Sequence, residues 1–139
     1  MKKCCWTTAV FLIVGLVMTN CTGIYYATAS AADNQLILAK SEFIIDLEKN
    51  KKRTYVLVKS EKLDFPICVY QISDNQYASS LLKCTHRGCE LNVGGGIYTC
   101  SCHGSEFSVE GEVLEGPAIH KLTMFKTITD NENIYIQLH

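Results

Sequence analysis

Polar and apolar positions along this chain fall into short runs rather than helical stripes. Residues 41–47 are a brief apolar stretch, broken by Lys49, Asn50, Lys51, Lys52 and Arg53. A basic run of this kind reads as a solvated turn. Residues 54–59 alternate and are β-branched, 65–72 form a second run closed by Ser73, Asp74 and Asn75, and 77–82 follow. Residues 120–128 and 134–138 repeat the pattern around Asp130, Asn131 and Glu132. No window as long as a typical helix keeps a 3.6-residue period. Short runs bounded by turn residues predict strands, and the expected fold class is all-β, an antiparallel sandwich or barrel.

The pattern stops between residues 83 and 117. Seven glycines, four cysteines and two histidines lie in this interval. Loops held by a rigid sheet are where chemistry concentrates, so the functional residues are sought here.

The opening of the chain follows a third pattern. Lys2 and Lys3 precede a 13-residue apolar stretch, 6–18. That is short of the roughly 20 residues of a membrane-spanning helix and suits the apolar part of an export signal. Three endings fit. Val17-Met18-Thr19-Asn20-Cys21 resembles a lipoprotein signal with Cys21 acylated, although Asn20 stands where a small residue is usual. Ala29-Ser30-Ala31 is a small-x-small cleavage site. Or the segment stays uncleaved as an anchor. All three place the remainder outside the cytoplasm, on the periplasmic side. The expected division is a signal or anchor over 1–32 and one domain over 33–139.

Composition narrows the function. A chain of 139 residues holds one domain and an appendage. Its net charge of −1 argues against a nucleic-acid partner. From Asp33 on, eleven Lys and Arg face fourteen Asp and Glu, so the domain is mildly acidic. Five of the eight cysteines lie in it: Cys68, Cys84, Cys89, Cys100 and Cys102. An odd count means a free thiol or metal ligands.

Four of the five fall in two boxes, Cys84-Thr85-His86-Arg87-Gly88-Cys89 and Cys100-Ser101-Cys102-His103-Gly104-Ser105. A structural zinc site usually draws on C-x(2–4)-C and H-x(3–5)-H pairs. Here each loop offers C-x-H or C-x-x-H, a set zinc could accept while leaving two cysteines unused.

The boxes resemble those of the Rieske 2Fe–2S proteins, whose pattern is C-T-H-x-G-C followed by C-x-C-H-G-S. Gly116-Pro117-Ala118 is similar to the family's third loop, which covers the cluster. The resemblance implies a Rieske-type antiparallel β-sandwich with a loop-built cluster-binding subdomain and one 2Fe–2S cluster. It implies Cys84 and Cys100 on one iron, His86 and His103 on the other, and Ser105 donating a hydrogen bond to a bridging sulfide. It also implies a Cys89–Cys102 disulfide. Two neutral imidazoles in place of two thiolates leave the oxidised site uncharged, so an electron is added more easily. Rieske potentials accordingly span roughly −150 to +300 mV, against about −400 mV for plant-type ferredoxins.

The second cysteine pair is similar to that of the quinol-oxidising branch and of arsenite-oxidase small subunits, and a disulfide suits an oxidising compartment. The implied function is one-electron transfer as the iron–sulfur subunit of a membrane-associated quinol–cytochrome oxidoreductase, with His103 contacting the quinol. The alternative is an electron-relay subunit of a periplasmic, arsenite-oxidase-like enzyme, or a stand-alone carrier without quinol contact. Implied partners are cytochrome or oxidoreductase subunits, and the membrane through the N-terminal segment.

Several positions depart from the family. Only 13 residues separate His86 from Cys100, fewer than in the cytochrome bc type, and Gly94, Gly95 and Gly96 would make that short turn. Arg87 stands where leucine is usual, and Phe107 where a tyrosine hydroxyl donates to a ligand-cysteine sulfur. No twin-arginine pair precedes the apolar stretch. Outside the boxes, Cys68 reads as an inert buried thiol and His120 as a structural or surface residue. Glu106, Glu110, Glu112 and Glu115 read as a solvated hairpin or as steering charge for a basic partner.

Overall fold

The structure is a computed structural model and describes residues 24–138. In chain order the strands are β1 (Ala29–Ala32), β2 (Gln35–Ala39), β3 (Ile44–Asp46), β4 (Lys51–Lys52), β5 (Tyr55–Val58), β6 (Ile67–Ser73) and β7 (Gln76–Leu81). They continue with β8 (Asn92–Gly94), β9 (Ile97–Thr99), β10 (Glu106–Ser108), β11 (Val113–Glu115), β12 (Met124–Thr129) and β13 (Asn133–Gln137). The helical content among the described residues is one 3-10 turn, Lys40–Phe43. The fold is all-β, as the strand pattern predicted.

Seven strands form one antiparallel sheet in the order β1-β2-β13-β12-β7-β6-β5, and a four-stranded sheet β11-β10-β9-β8 carries the boxes. The larger sheet curls on itself. The Ala27 N–H donates to the Leu57 carbonyl of β5 at 2.8 Å, and the Leu57 N–H donates to the Tyr25 carbonyl at 3.3 Å. The backbone leading into β1 therefore runs along β5, at the opposite end of the strand order, which leaves little open edge.

Alternation explains the core. In β2, Leu36 and Leu38 point inward, and in β13 Ile134 and Ile136 do the same. They join Val56, Val58, Ile67 and Val69 in the main core. Strand β5 from Val56 to Val58 and the first half of β6, Ile67–Val69, are buried on both faces. Leu57 and Cys68, one residue out of phase, join Leu82, Leu91, Tyr98 and Phe107 in a second core beneath the boxes. Burial on both faces is why the centre of the 65–72 run, Ile67–Val69, reads as continuously apolar instead of alternating. The second core is the platform on which the loops stand.

The strands differ from the sequence pattern in particular places. Residues 29–32 are β1, paired with β2 from Ala29↔Leu38 to Ala32↔Gln35, and Ala27 is buried in the main core. The short stretch 41–47 divides into the end of the 3-10 turn and β3. The basic run is more than a solvated turn, because Lys51 and Lys52 form β4. The Arg53 guanidinium donates to the carbonyls of Glu42 and Ile44 at 3.1 and 3.0 Å. Within 120–128 only Met124 onward is strand, since the Leu122 N–H turns away to the Gly111 carbonyl at 2.9 Å. The apolar stretch 6–18, Cys21 and His139 lie outside the described residues.

Candidate metal centre

Residues 84–89 and 100–105 are two loops of one backbone design. In each, the first cysteine's N–H donates to the carbonyl five residues on: Cys84 to Cys89 at 2.8 Å, and Cys100 to Ser105 at 2.8 Å. In each, the glycine four residues on donates back to that cysteine's carbonyl: Gly88 to Cys84 at 2.8 Å, and Gly104 to Cys100 at 2.9 Å. Gly88 has φ +76° and Gly104 φ +81°. A side chain there would cost about 1–2 kcal/mol. The C-x-x-x-G spacing common to both boxes is thus a backbone requirement, separate from the metal chemistry. The Gly94–Gly96 stretch makes the short β8–β9 turn, with Gly95 and Gly96 both at positive φ.

These loops bring the predicted residues together. Cys84 and Cys100 are free, buried thiols at the loop bases. His86 is half-buried and His103 exposed, and their rings meet edge to face with centroids 4.8 Å apart. The Cys89 and Cys102 sulfurs are bonded, joining one loop to the other with Cα atoms 6.6 Å apart. The Cys100 sulfur lies within 4.8 Å of both bridge sulfurs. Because the bridge consumes Cys89 and Cys102, that trio offers a metal only Cys100.

Two hydrogen bonds tie the loops to the segment after β11. The Ser105 hydroxyl, fully buried, accepts the Ala118 N–H at 3.0 Å. Its own proton remains free to be donated. Thr85 donates from Oγ1 to the His120 carbonyl at 2.5 Å. No residue type signals this second tie, because a carbonyl acceptor leaves no trace in a sequence. The His120 side chain itself is exposed, in agreement with the surface reading. Phe107 is fully buried and shares the second core with Cys84 and Cys100. Cys68 is buried and unbridged, and burial pushes its thiol up to about 12. Beside it Tyr98 accepts a hydrogen bond from Ser80 at 3.1 Å and is likewise raised, mainly by burial. Arg87, Lys121, Glu110, Glu112 and Glu115 are all exposed.

An iron–sulfur cluster can be tested against these side chains. His86 Nδ1 is buried and has no hydrogen-bond partner among the described residues. Such an orphaned nitrogen is costly unless something outside the polypeptide satisfies it. The imidazole is held below its ordinary pKa by lost solvation, then by the charges of His103 and Arg87, which favours the neutral form that ligates metal. Two buried free thiols and two imidazoles from facing loops are the donor set a Rieske centre uses. The residues fit the group.

Two cysteine–histidine loops, bridged by a disulfide and set on an antiparallel sheet, define a small iron–sulfur electron-transfer domain. The chain belongs to the Rieske [2Fe-2S] domain family, whose model matches residues 40–126, and its cofactor is one 2Fe–2S cluster. It is 40% identical over 53 residues to the cytochrome b6-f complex iron-sulfur subunit of Synechococcus sp. (strain JA-2-3B'a(2-13)), a match spanning 37% of this chain and 31% of that subunit. The corresponding subunit of Prochlorococcus marinus (strain MIT 9303) is 34% identical over 55 residues, covering 38% of this chain and again 31% of its own length. The chain thus matches less than a third of these curated relatives. The crystal structure of the cyanobacterial plasma membrane Rieske protein PetC3 from Synechocystis PCC 6803 superposes with a TM-score of 0.54 at 32% identity. That similarity covers 60% of this chain and 86% of PetC3. A chain in the complex of reduced oxygenase and oxidized ferredoxin in carbazole 1,9a-dioxygenase shares the fold, with a TM-score of 0.50 at 24% identity over 60% of this chain and 80% of that one. Among the described residues no helix is long and apolar enough to cross a membrane.

Proposed function

We propose that Cys84 and Cys100 hold one iron and His86 and His103 the other, and that the chain is the iron–sulfur subunit of a membrane-associated quinol–cytochrome oxidoreductase. The orphaned Nδ1 of His86, in a pair of loops that also carries two free buried thiols, is the observation that carries the ligand assignment. When bound, the cluster supplies one-electron redox chemistry at a potential raised by its two neutral ligands. The polypeptide does the rest. Cys84 and Cys100 sit at the loop bases out of water, the disulfide holds the loops together, and Ser105 with Ala118 closes the third side. His103, exposed at the loop end, presents its outer ring nitrogen to a quinol hydroxyl and can hold the proton released on oxidation.

A second reading is an electron relay in a periplasmic oxidase, without quinol contact. Arg87 favours it, since an exposed guanidinium follows His86 in the loop where an apolar quinol pocket would have to close.

The membrane tether lies in the segment before Ile24. Cleavage after Ala31 would cut through β1 and remove Ala27 from the core. Processing at Cys21 or retention of the whole segment keeps both, which supports a Cys21 lipid or an uncleaved anchor as the tether. Either places the domain on the extracytoplasmic face.

The test is gentle solubilisation and affinity isolation of the full chain from its own membranes. Co-purification of a cytochrome b-type subunit is expected. A molybdopterin-containing oxidase in its place supports the relay reading. Recovery without iron and acid-labile sulfide defeats both.

A further inference from the structure

We propose that the β3–β4 hairpin and the start of the domain form a foot that rests on an anionic lipid surface. The inference deepens the membrane-tethered reading above and rests on it. At the hairpin tip Leu47 is 79% exposed, and Ile45 on β3 is exposed as well. Ile24, 71% exposed, shares a shallow depression with Ile45: Ile24, Tyr25, Ile45, Lys52 and Arg53 line it, and the Leu47 tip follows two residues beyond Ile45. The arrangement is fixed in place. The Tyr25 hydroxyl donates to Glu42 at 2.6 Å, and the Arg53 guanidinium lies 3.6 Å over the Tyr25 ring while bonded to the carbonyls of Glu42 and Ile44. Exposed apolar residues scattered singly need no explanation, but a contiguous group rimmed by cations marks an interaction site.

The rim is basic within an otherwise acidic domain. Lys49, Lys51 and Lys52 are exposed, and Arg53 stands behind them. The carboxylates nearby are Glu42, Asp46 and Glu48, with Asp46 paired to Lys49 at 3.7 Å. Four cations against three carboxylates is a small excess, so charge alone does not hold the hairpin down and the Leu47 tip must insert. Leucine and isoleucine flanked by lysines is the composition of segments that settle at the headgroup boundary. There lysine stems run along the apolar layer and ammonium groups meet anionic heads.

Chain length selects a lipid as the occupant. Five residues separate Met18, the end of the apolar stretch, from Ile24, so the connection is six residue steps. Fully extended they span at most about 20 Å, and a lipid on Cys21 would halve that reach. A domain tethered so closely, beginning beside the hairpin, has this patch as its membrane-side face.

The test places one reporter at the tip. Full-length Leu47→Trp protein, made in a Trp6→Phe background because Trp6 is the chain's one tryptophan, is reconstituted into vesicles of brominated phosphatidylcholine with or without brominated phosphatidylglycerol. Flotation is scored first, then fluorescence quenching. The expected result is flotation, bromine quenching at the tip at least twofold stronger with phosphatidylglycerol, and loss of that excess in Lys51→Gln/Lys52→Gln. Flotation with a tip quenched only by aqueous iodide overturns the foot while leaving the tether standing, and is the result expected if a protein partner covers the patch. Equal bromine quenching on both vesicles overturns the anionic assignment. Failure to float overturns the tether and the foot together.

Discussion

Replacing Phe107 with tyrosine adds one hydroxyl at a position with no solvent exposure. Phe107 lies opposite Tyr98 in the β9–β10 register and shares its core with Cys84 and Cys100. Inside that core the new group has two fates. If the ring edge faces a ligand sulfur, the hydroxyl donates to it. Hydrogen bonds to charged groups contribute about 1.5–3 kcal/mol, and the reduced, more negative site accepts the stronger one. Taking about 1.5 kcal/mol as the difference between the two redox states gives a rise on the order of 60 mV for one electron. If the edge faces carbon, the hydroxyl is buried unbonded and costs about 1–3 kcal/mol of stability. Ser105→Ala is the opposite perturbation. It removes a donor, so the potential should fall by a similar amount. It also leaves the buried Ala118 N–H without its acceptor, so stability should drop by about 1 kcal/mol or more. Protein-film voltammetry with thermal melting of the wild type and both variants reads both quantities. A Phe107→Tyr protein with intact cluster, unchanged potential and a lowered melting temperature would refute the reasoning, because residue 107 would then not face the ligand sulfur.

Other predictions follow from the same contacts. Removing the bridge in Cys89→Ser/Cys102→Ser, whose cysteines are 13 positions apart, should cost about 3 kcal/mol and speed cluster loss, read by urea unfolding and by the bleaching rate of the visible spectrum. Cys68 has a folded pKa raised from 9.0 to about 12 by burial, so its contribution is fully present below pH 9 and is lost as pH climbs toward 12. At most about 4 kcal/mol is at stake, and the alkaline loss of stability should be shallower in Cys68→Ala than in wild type. Gly111 has φ +85°, and a Cβ there would meet Met124 Sδ at 2.6 Å. Gly111→Ala should therefore destabilise by about 2 kcal/mol in a melting experiment and loosen the loop that Leu122 ties to its carbonyl.

The sequence announced the site more completely than the frame that carries it. Cysteine, histidine and glycine at fixed offsets leave a visible trace because both the backbone turn and the chemistry demand them. The central strands were legible too, since 54–59 is β-branched and Ile67–Val69 of β6, buried on both faces, reads as apolar. Strands β1 and β8 to β11 were not. They are three or four residues long, too short for a period to declare itself. In addition, the alanines and Ser30 of β1 look like a cleavage site as readily as a strand. Arg53 misled for a different reason: inside a basic run its type gives no hint that its guanidinium staples β3 to the 3-10 turn. The ties from Ser105 to Ala118 and from Thr85 to His120 end on backbone groups, which sequence cannot display.

The central claim is that one iron is held by imidazole nitrogens from His86 and His103. Pulsed EPR of the reduced full-length protein, labelled with ¹⁵N-histidine, measures this directly. Two strongly coupled histidine nitrogens are expected in the wild type. A reduced cluster with no histidine coupling, as four thiolate ligands would give, would contradict the account.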